Sequence, residues 1–443
     1  MQTCKGFWLF ICAAVLASAS LYGCGNSKTS ESIPSSATIL YAHSVVFKNT
    51  STYTMGYNAF GQLGDGTLTN RPSAVKIGGL GPMRKGVIGA EHTMVFGNLS
   101  SSVWTWGYNL YGQLGDPAVP HLGVSENANS SLPRQLFLGA TVSDIAAGGF
   151  HSLAVARGVI KSWGYNLDGQ LGTGNTDNSY EPKPVSTDFY GNSLPPAVQV
   201  AAGGTHSLAL CDDGSVTSVY AWGNNASGQL GFTNLSTSSK WPKKVTFLPA
   251  AGGKIEQIAA LGRASLALEV VRDGSNNITR QTLWGWGHNG TGELAADPTV
   301  TPFSYAPEVL FEDTNVGPTT RIIKKIATGL NHVLLLMGVR DNDGSDGSWT
   351  VDALGYNYYG QLGNNKEPVG TSISSFEIVQ TLNTAGTGNL TGVTDIAAFG
   401  YHSLALVGGV WYGWGTNSLG QLGNPIVTDA VGYFQLPVQV QGL

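Results

Sequence analysis

The stretch WGYNLYGQLG at residues 106–115 decides the fold, because the chain repeats it. It appears again as MGYNAFGQLG (55–64), WGYNLDGQLG (163–172), WGNNASGQLG (222–231), WGHNGTGELA (286–295), LGYNYYGQLG (354–363) and WGTNSLGQLG (414–423), with copies 51 to 68 residues apart. Self-similarity at this period marks a repeat architecture. A second phrase precedes each copy: YAHSVVF (41–47), GAEHTMVF (89–96), GGFHSLAV (148–155), GGTHSLAL (203–210), LGRASLAL (261–268), GLNHVLLL (329–336) and GYHSLAL (400–406). Six of the eight histidines share one place in that phrase: His43, His92, His151, His206, His332 and His402. The fifth copy has Ala264 there.

Each unit reads as a small antiparallel sheet. The H-S-L-A-L stretch is short, apolar and glycine-bounded, as a buried strand should be. A tight turn such as Asp212-Asp213-Gly214 leads to a second strand ending in Trp-Gly. N-x-x-G-Q-L-G is too glycine-rich for strand or helix and reads as a structured turn, in which Asn bonds nearby backbone and Gly takes positive φ. An outer strand around Pro-x-x-Val, as in LPVQV (436–440), completes the unit. Seven units of about four strands predict an all-β, seven-bladed β-propeller over 37–443, since radial closure leaves few exposed edges. The chain starts in mid-unit and finishes on an outer-strand phrase, which predicts a ring closed by pairing of the N- and C-terminal strands.

Composition agrees. The 443 residues include 61 glycines, only 12 % charged residues and 42 % hydrophobic ones, which excludes disorder and a long helical protein. A formal charge of −5, with no lysine or arginine run longer than pairs such as those at 243–244 and 324–325, gives no footprint for nucleic acid.

Residues 1–23 read as an export signal, with Lys5 before the apolar run 6–20, too short for a transmembrane helix. Leu21-Tyr22-Gly23-Cys24 resembles the lipobox of bacterial lipoproteins, with Tyr22 in place of the usual small residue; the competing reading is cleavage after Ala17-Ser18-Ala19. Lipid on Cys24, followed by a Ser- and Asn-rich tether over 24–36, predicts a protein held to the bacterial cell envelope, with the outer membrane favoured. Cys211 is then the one cysteine of the mature body and reads as a structural thiol.

The two phrases together resemble the repeat of the regulator of chromosome condensation family, whose members are seven-bladed propellers, across effectively the whole mature chain. The family's best-known activity is nucleotide exchange on the small GTPase Ran together with chromatin binding. An export signal and the absence of a basic tail argue against that activity here. The resemblance to secreted bacterial propellers of the family, one of which covers and inhibits a β-lactamase, suggests action by binding instead.

No catalytic motif stands out, and almost every polar residue is repeated, so neither an enzyme nor a cofactor is expected. Histidines at one position on six blades cannot converge within metal-bond distance unless all point into the channel, so they read as structural, with no metal. Trp106, Trp163, Trp222, Trp286 and Trp414 read as packing between blades. DNDGSDG (341–347) resembles a calcium loop but has Asp346 where that loop needs Gly, and reads as a hairpin extension. The unrepeated positions are the ones that carry specificity. Tyr57, Phe60, Tyr108, Tyr111, Tyr165, Tyr356 and Tyr359 form an aromatic arc over units six, one, two and three, interrupted by unit seven. They suit a protein- or glycan-binding surface on a monomer; the alternative is that the rings pack on neighbouring blades. Loops 116–135, 173–196, 232–249 and 296–320 add Tyr180, Phe189, Tyr190, Trp241, Phe303 and Tyr305.

Overall fold

The computed structural model describes residues 41–98, 100–117, 129–233, 237–247, 249–314, 320–339, 349–366, 374–425 and 432–443. The signal, Cys24, the tether and the calcium-like segment lie outside them. Among the described residues, twenty-seven strands form seven antiparallel sheets, each a simple meander. Blade one is β1 (His43–Lys48), β2 (Ser51–Gly56) and β3 (Arg71–Lys76). Blade two is β4 (Met83–Ile88), β5 (His92–Gly97), β6 (Ser102–Gly107) and β7 (Ser130–Phe137). Blade three is β8 (Val142–Ala147), β9 (His151–Ala156), β10 (Val159–Gly164) and β11 (Ser179–Val185). Blade four is β12 (Ala197–Ala202), β13 (His206–Asp212), β14 (Thr217–Asn224) and β15 (Ser238–Lys244). Blade five is β16 (Lys254–Ala260), β17 (Ala264–Arg272), β18 (Ile278–His288) and β19 (Phe303–Asp313). Blade six is β20 (Ile322–Thr328), β21 (His332–Gly338), β22 (Trp349–Tyr356) and β23 (Ser374–Gln380), and blade seven is β24 (Val393–Phe399), β25 (His402–Val407), β26 (Val410–Thr416) and β27 (Tyr433–Gln439). This is the seven-bladed propeller that the repeat predicts.

Burial follows position in the blade. The H-S-L-A-L strands are the most deeply buried, from end to end in His151–Ala156, because they are sandwiched between blades. Outer strands such as Ser179–Val185 alternate and carry the prolines, which an edge tolerates because no ladder bond is lost. The register slips where each third strand meets its outer strand, between Ser162 and Gly164 in blade three. The slip spans the tryptophan position, and the indole is fully buried at the seam. The glycine that follows has φ +99° at Gly164, and a Cβ there would lie 2.5 Å from the Phe150 carbonyl oxygen.

Neighbouring blades are joined by a recurring polar chain. At the seam of blades three and four, His151 Nε2 and Ser207 Oγ are 2.9 Å apart, Ser207 donates to the Gln170 carbonyl at 2.8 Å, and Trp222 Nε1 donates to the same carbonyl at 2.8 Å. Because the hydroxyl spends its proton on the carbonyl, it accepts from His151, which fixes the Nε2–H tautomer and leaves Nδ1 bare. His43–Thr93, His92–Ser152, His206–Ser265, His332–Ser403 and His402–Ser44 repeat the contact. The sequence expectation put the ring nitrogens on backbone; their partner is instead the hydroxyl of the next blade. Four of the rings, those of His92, His151, His206 and His332, also crowd a glycine three residues earlier, so that a Cβ on Gly148 would sit 2.1 Å from His151 Cε1.

The seam of blades five and six lacks the chain altogether. Ala264 stands for the histidine, Leu261 for its glycine, Val333 for the hydroxyl and Leu354 for the tryptophan, and all four are buried. They merge into the largest apolar cluster, which runs through blades five, six and seven.

Closure differs from the expected strand exchange. β27 pairs with β26 inside its own blade, and β24 supplies that blade's inner strand, so blade seven has no place for an N-terminal strand. The joint is made by side-by-side packing of Val46, Met55 and Ala74 on Leu404, Trp411 and Val440. Ser44 donating to the Gln421 carbonyl at 2.7 Å, Trp411 Nε1 donating to the Phe47 carbonyl at 3.0 Å, and the Ala74 amide donating to the Gln441 carbonyl at 2.9 Å complete it.

Candidate functional site: the turn face

Two turns of each blade, the one before the histidine strand and the one after the third strand, meet at one end of the ring. The residue after Trp-Gly donates its amide to the carbonyl of the residue just before the repeat's histidine: Tyr57 to Ala42, Tyr108 to Glu91, Tyr165 to Phe150, Asn224 to Thr205, His288 to Arg263, Tyr356 to Asn331 and Thr416 to Tyr401. A backbone collar runs inside these pairs. The amides of Tyr41, Ala90, Gly149, Gly204, Gly262 and Leu330 each donate to a carbonyl on the next blade, at 2.8 to 3.0 Å. The N-x-x-G-Q-L-G turns sit outside the collar and are locked by their own side chains. In blade three, Asn166 Oδ1 accepts from the Leu171 amide at 2.8 Å and Gln170 Oε1 accepts from the Asp168 amide at 3.0 Å. The scaffold residues of the turn are thus spent on the backbone, and only its variable residues are left to face outward.

All seven arc residues lie on this face, in two groups. Tyr57, Phe60, Tyr108, Tyr111 and Tyr165 form a chain of edge contacts, with Phe60–Tyr108 centroids at 5.0 Å and Tyr111–Tyr165 at 4.9 Å. Phe150 completes that chain, 5.5 Å from Tyr111. Tyr356 and Tyr359 belong to the second group with Tyr358, Tyr401 and Tyr433; Tyr359 lies 5.4 Å from Tyr401. Blade seven therefore contributes Tyr401 where its turn residues are not aromatic. Tyr108 and Tyr356 are buried, the other five arc residues are half-buried, and Tyr358 is 41 % exposed. The rings pack across blades by their edges, and five of the seven arc residues still offer surface.

The facing sector, centred on blades four and five, is polar. Asn224 Nδ2 donates to Asp168 Oδ1 at 3.0 Å, while Glu293 Oε1 meets His288 Nδ1 at 2.9 Å and accepts from Asn331 Nδ2 at 2.8 Å. The His288 contact and the Asn331 bond keep the buried Glu293 carboxyl below its ordinary range despite desolvation. Glu269, also buried, has partners at both oxygens, the Ala250 amide and Trp284 Nε1. Glu91 differs: it is buried beside Tyr57, its Oε2 has no partner among the described residues, and desolvation pushes its carboxyl up to about 8. Phe150, Tyr401 and Glu91 were missed from sequence. All three occupy the variable place before the repeat's histidine, and comparing that column across the units would have found them.

The remaining expectations fall as follows. Burial holds the six repeat histidines at about 3, neutral at any ordinary pH. Cys211 is buried, and desolvation pushes its thiol up to about 12, which keeps it inert. No group of three or more His, Cys, Asp or Glu among the described residues could hold a metal ion. Tyr180, Trp241, Phe303 and Tyr305 lie in outer strands, while Phe189 and Tyr190 sit on the loop after β11.

Models of the regulator of chromosome condensation (RCC1) repeat match residues 51–96, 100–155, 158–210 and 218–268, and a second model of that repeat matches 197–229. Among relatives, the ultraviolet-B receptor UVR8 of Arabidopsis thaliana is 28 % identical, over 68 % of this chain and 60 % of its own. The mitochondrial RCC1 domain-containing protein RUG3 of the same plant is 30 % identical, over 64 % of this chain and 60 % of its own. The chain thus spans less than two thirds of these relatives. Among solved structures, yeast RCC1 (Prp20) bound to Kap60 superposes with a TM-score of 0.68 at 19 % identity, covering 95 % of this chain and 91 % of that one. Human WBSCR16 gives 0.62 at 23 % identity, covering 83 % and 85 %. At these identities the structures establish the fold.

Proposed function

We propose that this chain, a propeller built from repeats of the regulator of chromosome condensation family, is an exported, lipid-anchored scaffold that works without chemistry of its own, by binding a protein or an envelope polysaccharide through its turn face. The observation that carries the reading is the asymmetry of that face: the same backbone positions are aromatic on one arc and polar and paired on the facing one, over a collar that does not vary. A preorganised surface of this kind loses little entropy on binding. The relatives support protein binding in kind, since the yeast member was solved in complex with Kap60. Their names span a light receptor, a mitochondrial protein and a probable ubiquitin ligase, so the repeat carries no single activity.

The anchor rests on Leu21-Tyr22-Gly23-Cys24. Cells given an alkyne fatty acid should label the full chain and retain it in membranes, and Cys24→Ala should lose both. A soluble, unlabelled wild type cleaved near Ala19 would replace the anchored scaffold with a diffusible binder or inhibitor. For the face, the solubilised wild type should run as a large complex on sizing, and Tyr358→Glu and Leu167→Glu should abolish it. Val216→Glu, at the opposite end of blade four, should not; equal loss from both ends would remove the turn face as the binding surface.

A further inference from the structure

The loop after β11, which leaves its strand at the end opposite the turn face, meets the outer strand of the next blade on the outside of the ring. It is a built hairpin: Thr187 bridges Ser193, and Asp188 Oδ1 accepts the amides of Tyr190 and Asn192, both at 2.8 Å. It leans on the outer strand of the next blade, where the Phe189 amide donates to the Pro242 carbonyl at 2.7 Å. Between them lies a groove of about 330 Å³ lined by Phe189, Leu230, Phe232, Trp241, Lys240 and Lys243. Tyr190 stands beside Phe189, 5.3 Å away, and the three ring residues Phe189, Tyr190 and Trp241 are 53 %, 71 % and 37 % exposed.

The charge of the groove opposes that of the chain. The formal net charge is −5, yet the lining holds two lysines and no carboxylate. Lys243 Nζ lies over the rings of Phe232 and Phe189, at 4.6 and 5.6 Å, and neither lysine forms an ion pair among the described residues. Exposed rings beside unpaired cations fit a ligand that brings both an apolar anchor and negative charge. The polar lining decides against a sugar. Ser239 Oγ is spent on the Trp241 carbonyl at 2.7 Å, and Asn225 Oδ1 on the Leu230 amide at 3.0 Å, which leaves few groups to take sugar hydroxyls.

We propose that this groove between blades three and four receives an extended acidic segment of a partner protein, seating one apolar side chain against Phe189, Phe232 and Trp241 and its carboxylates on Lys240 and Lys243. The proposal rests on the binding reading above and narrows it to one partner chemistry. It is tested with a fluorescein-labelled pentapeptide, Asp-Glu-Leu-Asp-Glu, titrated against the full chain by fluorescence polarisation. Binding should weaken steeply with salt, and about tenfold in Lys240→Glu/Lys243→Gln with an unchanged melting temperature. Replacing the central leucine by serine should cost a similar factor. Equal binding of Asn-Gln-Leu-Asn-Gln, unaltered binding by the lysine variant, or displacement by an acidic oligogalacturonate that binds more tightly would each overturn it. A failed groove with complexes still sensitive to Tyr358→Glu leaves the face reading intact, whereas peptide binding with insensitive complexes removes the face and keeps the groove.

Discussion

At the seam of blades three and four, His151, Ser207, Trp222 and the Gln170 carbonyl form one hydrogen-bonded chain. At the seam of blades five and six the corresponding places hold Ala264, Val333, Leu354 and Glu293. The first joint is polar, directional and buried; the second is a plain apolar contact with Leu261 in the space that the ring would fill. One buried hydrogen bond adds only about 1 kcal/mol net, but an orphaned partner costs about 1–3 kcal/mol. The histidine–hydroxyl–carbonyl link is therefore kept whole or lost whole. The seam of blades seven and one shows the permitted limit: Met55 stands where the tryptophan would be, while His402 and Ser44 stay joined.

Acid should separate the two kinds of seam most strongly. The six histidines are held neutral at about 3 when folded and titrate near 6.5 when unfolded, so the unfolded chain binds more protons between those values. Stability is then full above about pH 6.5 and lost as pH falls toward 3, at up to about 8 kcal/mol per pH unit for six groups titrating together. Near-ultraviolet circular dichroism should show cooperative unfolding well above pH 3, taking up several protons. A fold unchanged at pH 3.5 would show that the rings are not the buried neutral set described.

Installing half of the chain in the apolar seam should be worse than installing all of it. Ala264→His alone drives a ring into Leu261 and should destabilise by about 2–3 kcal/mol in urea melts. Adding Leu261→Gly and Val333→Ser gives the ring its bed and its acceptor, and should recover at least half of that loss. Additive losses from the three changes would break the whole-or-none account.

The comparison extends to the two buried glutamates of the turn face. Glu293, at the apolar seam, is paired by His288 and Asn331, whereas Glu91, at the seam of blades one and two, keeps an unpartnered oxygen. With its carboxyl raised to about 8, Glu91 contributes stability that is present below about pH 4.5 and lost as pH rises through 8. The advantage of Glu91→Gln over the wild type should grow by about 2 kcal/mol between pH 6.5, where the histidine chains are intact, and pH 8.5, read from paired denaturant melts. An equal difference at both pH values would mean that the carboxyl is solvated or paired in solution.

The histidine column, the tryptophan column and the locked turn were legible because the repeat shows them six, five and seven times. What repetition hides is contact between copies. Ala264 was plain in the sequence, but its partners Val333 and Leu354 lie in the next unit, and only the ring shows that they change together. Closure was misread for a related reason: a unit boundary drawn at the histidine strand does not reveal that β24 already completes blade seven. The tyrosines of the arc were found by their variability, whereas Phe150, Tyr401 and Glu91 stood next to a conspicuous histidine. Phe189 and Trp241 were each picked out on their own loops, and the meeting of those loops is a property of the fold alone.

The central claim is that the repeated residues build the ring and the unrepeated ones at the turn end do its work. A photocrosslinking amino acid placed at Leu167, 63 % exposed on the turn face, and separately at Val216, 55 % exposed at the other end, tests it in intact cells. The account predicts one discrete adduct from Leu167 and none from Val216. The same adduct from Val216, or an adduct from Val216 alone, would contradict it.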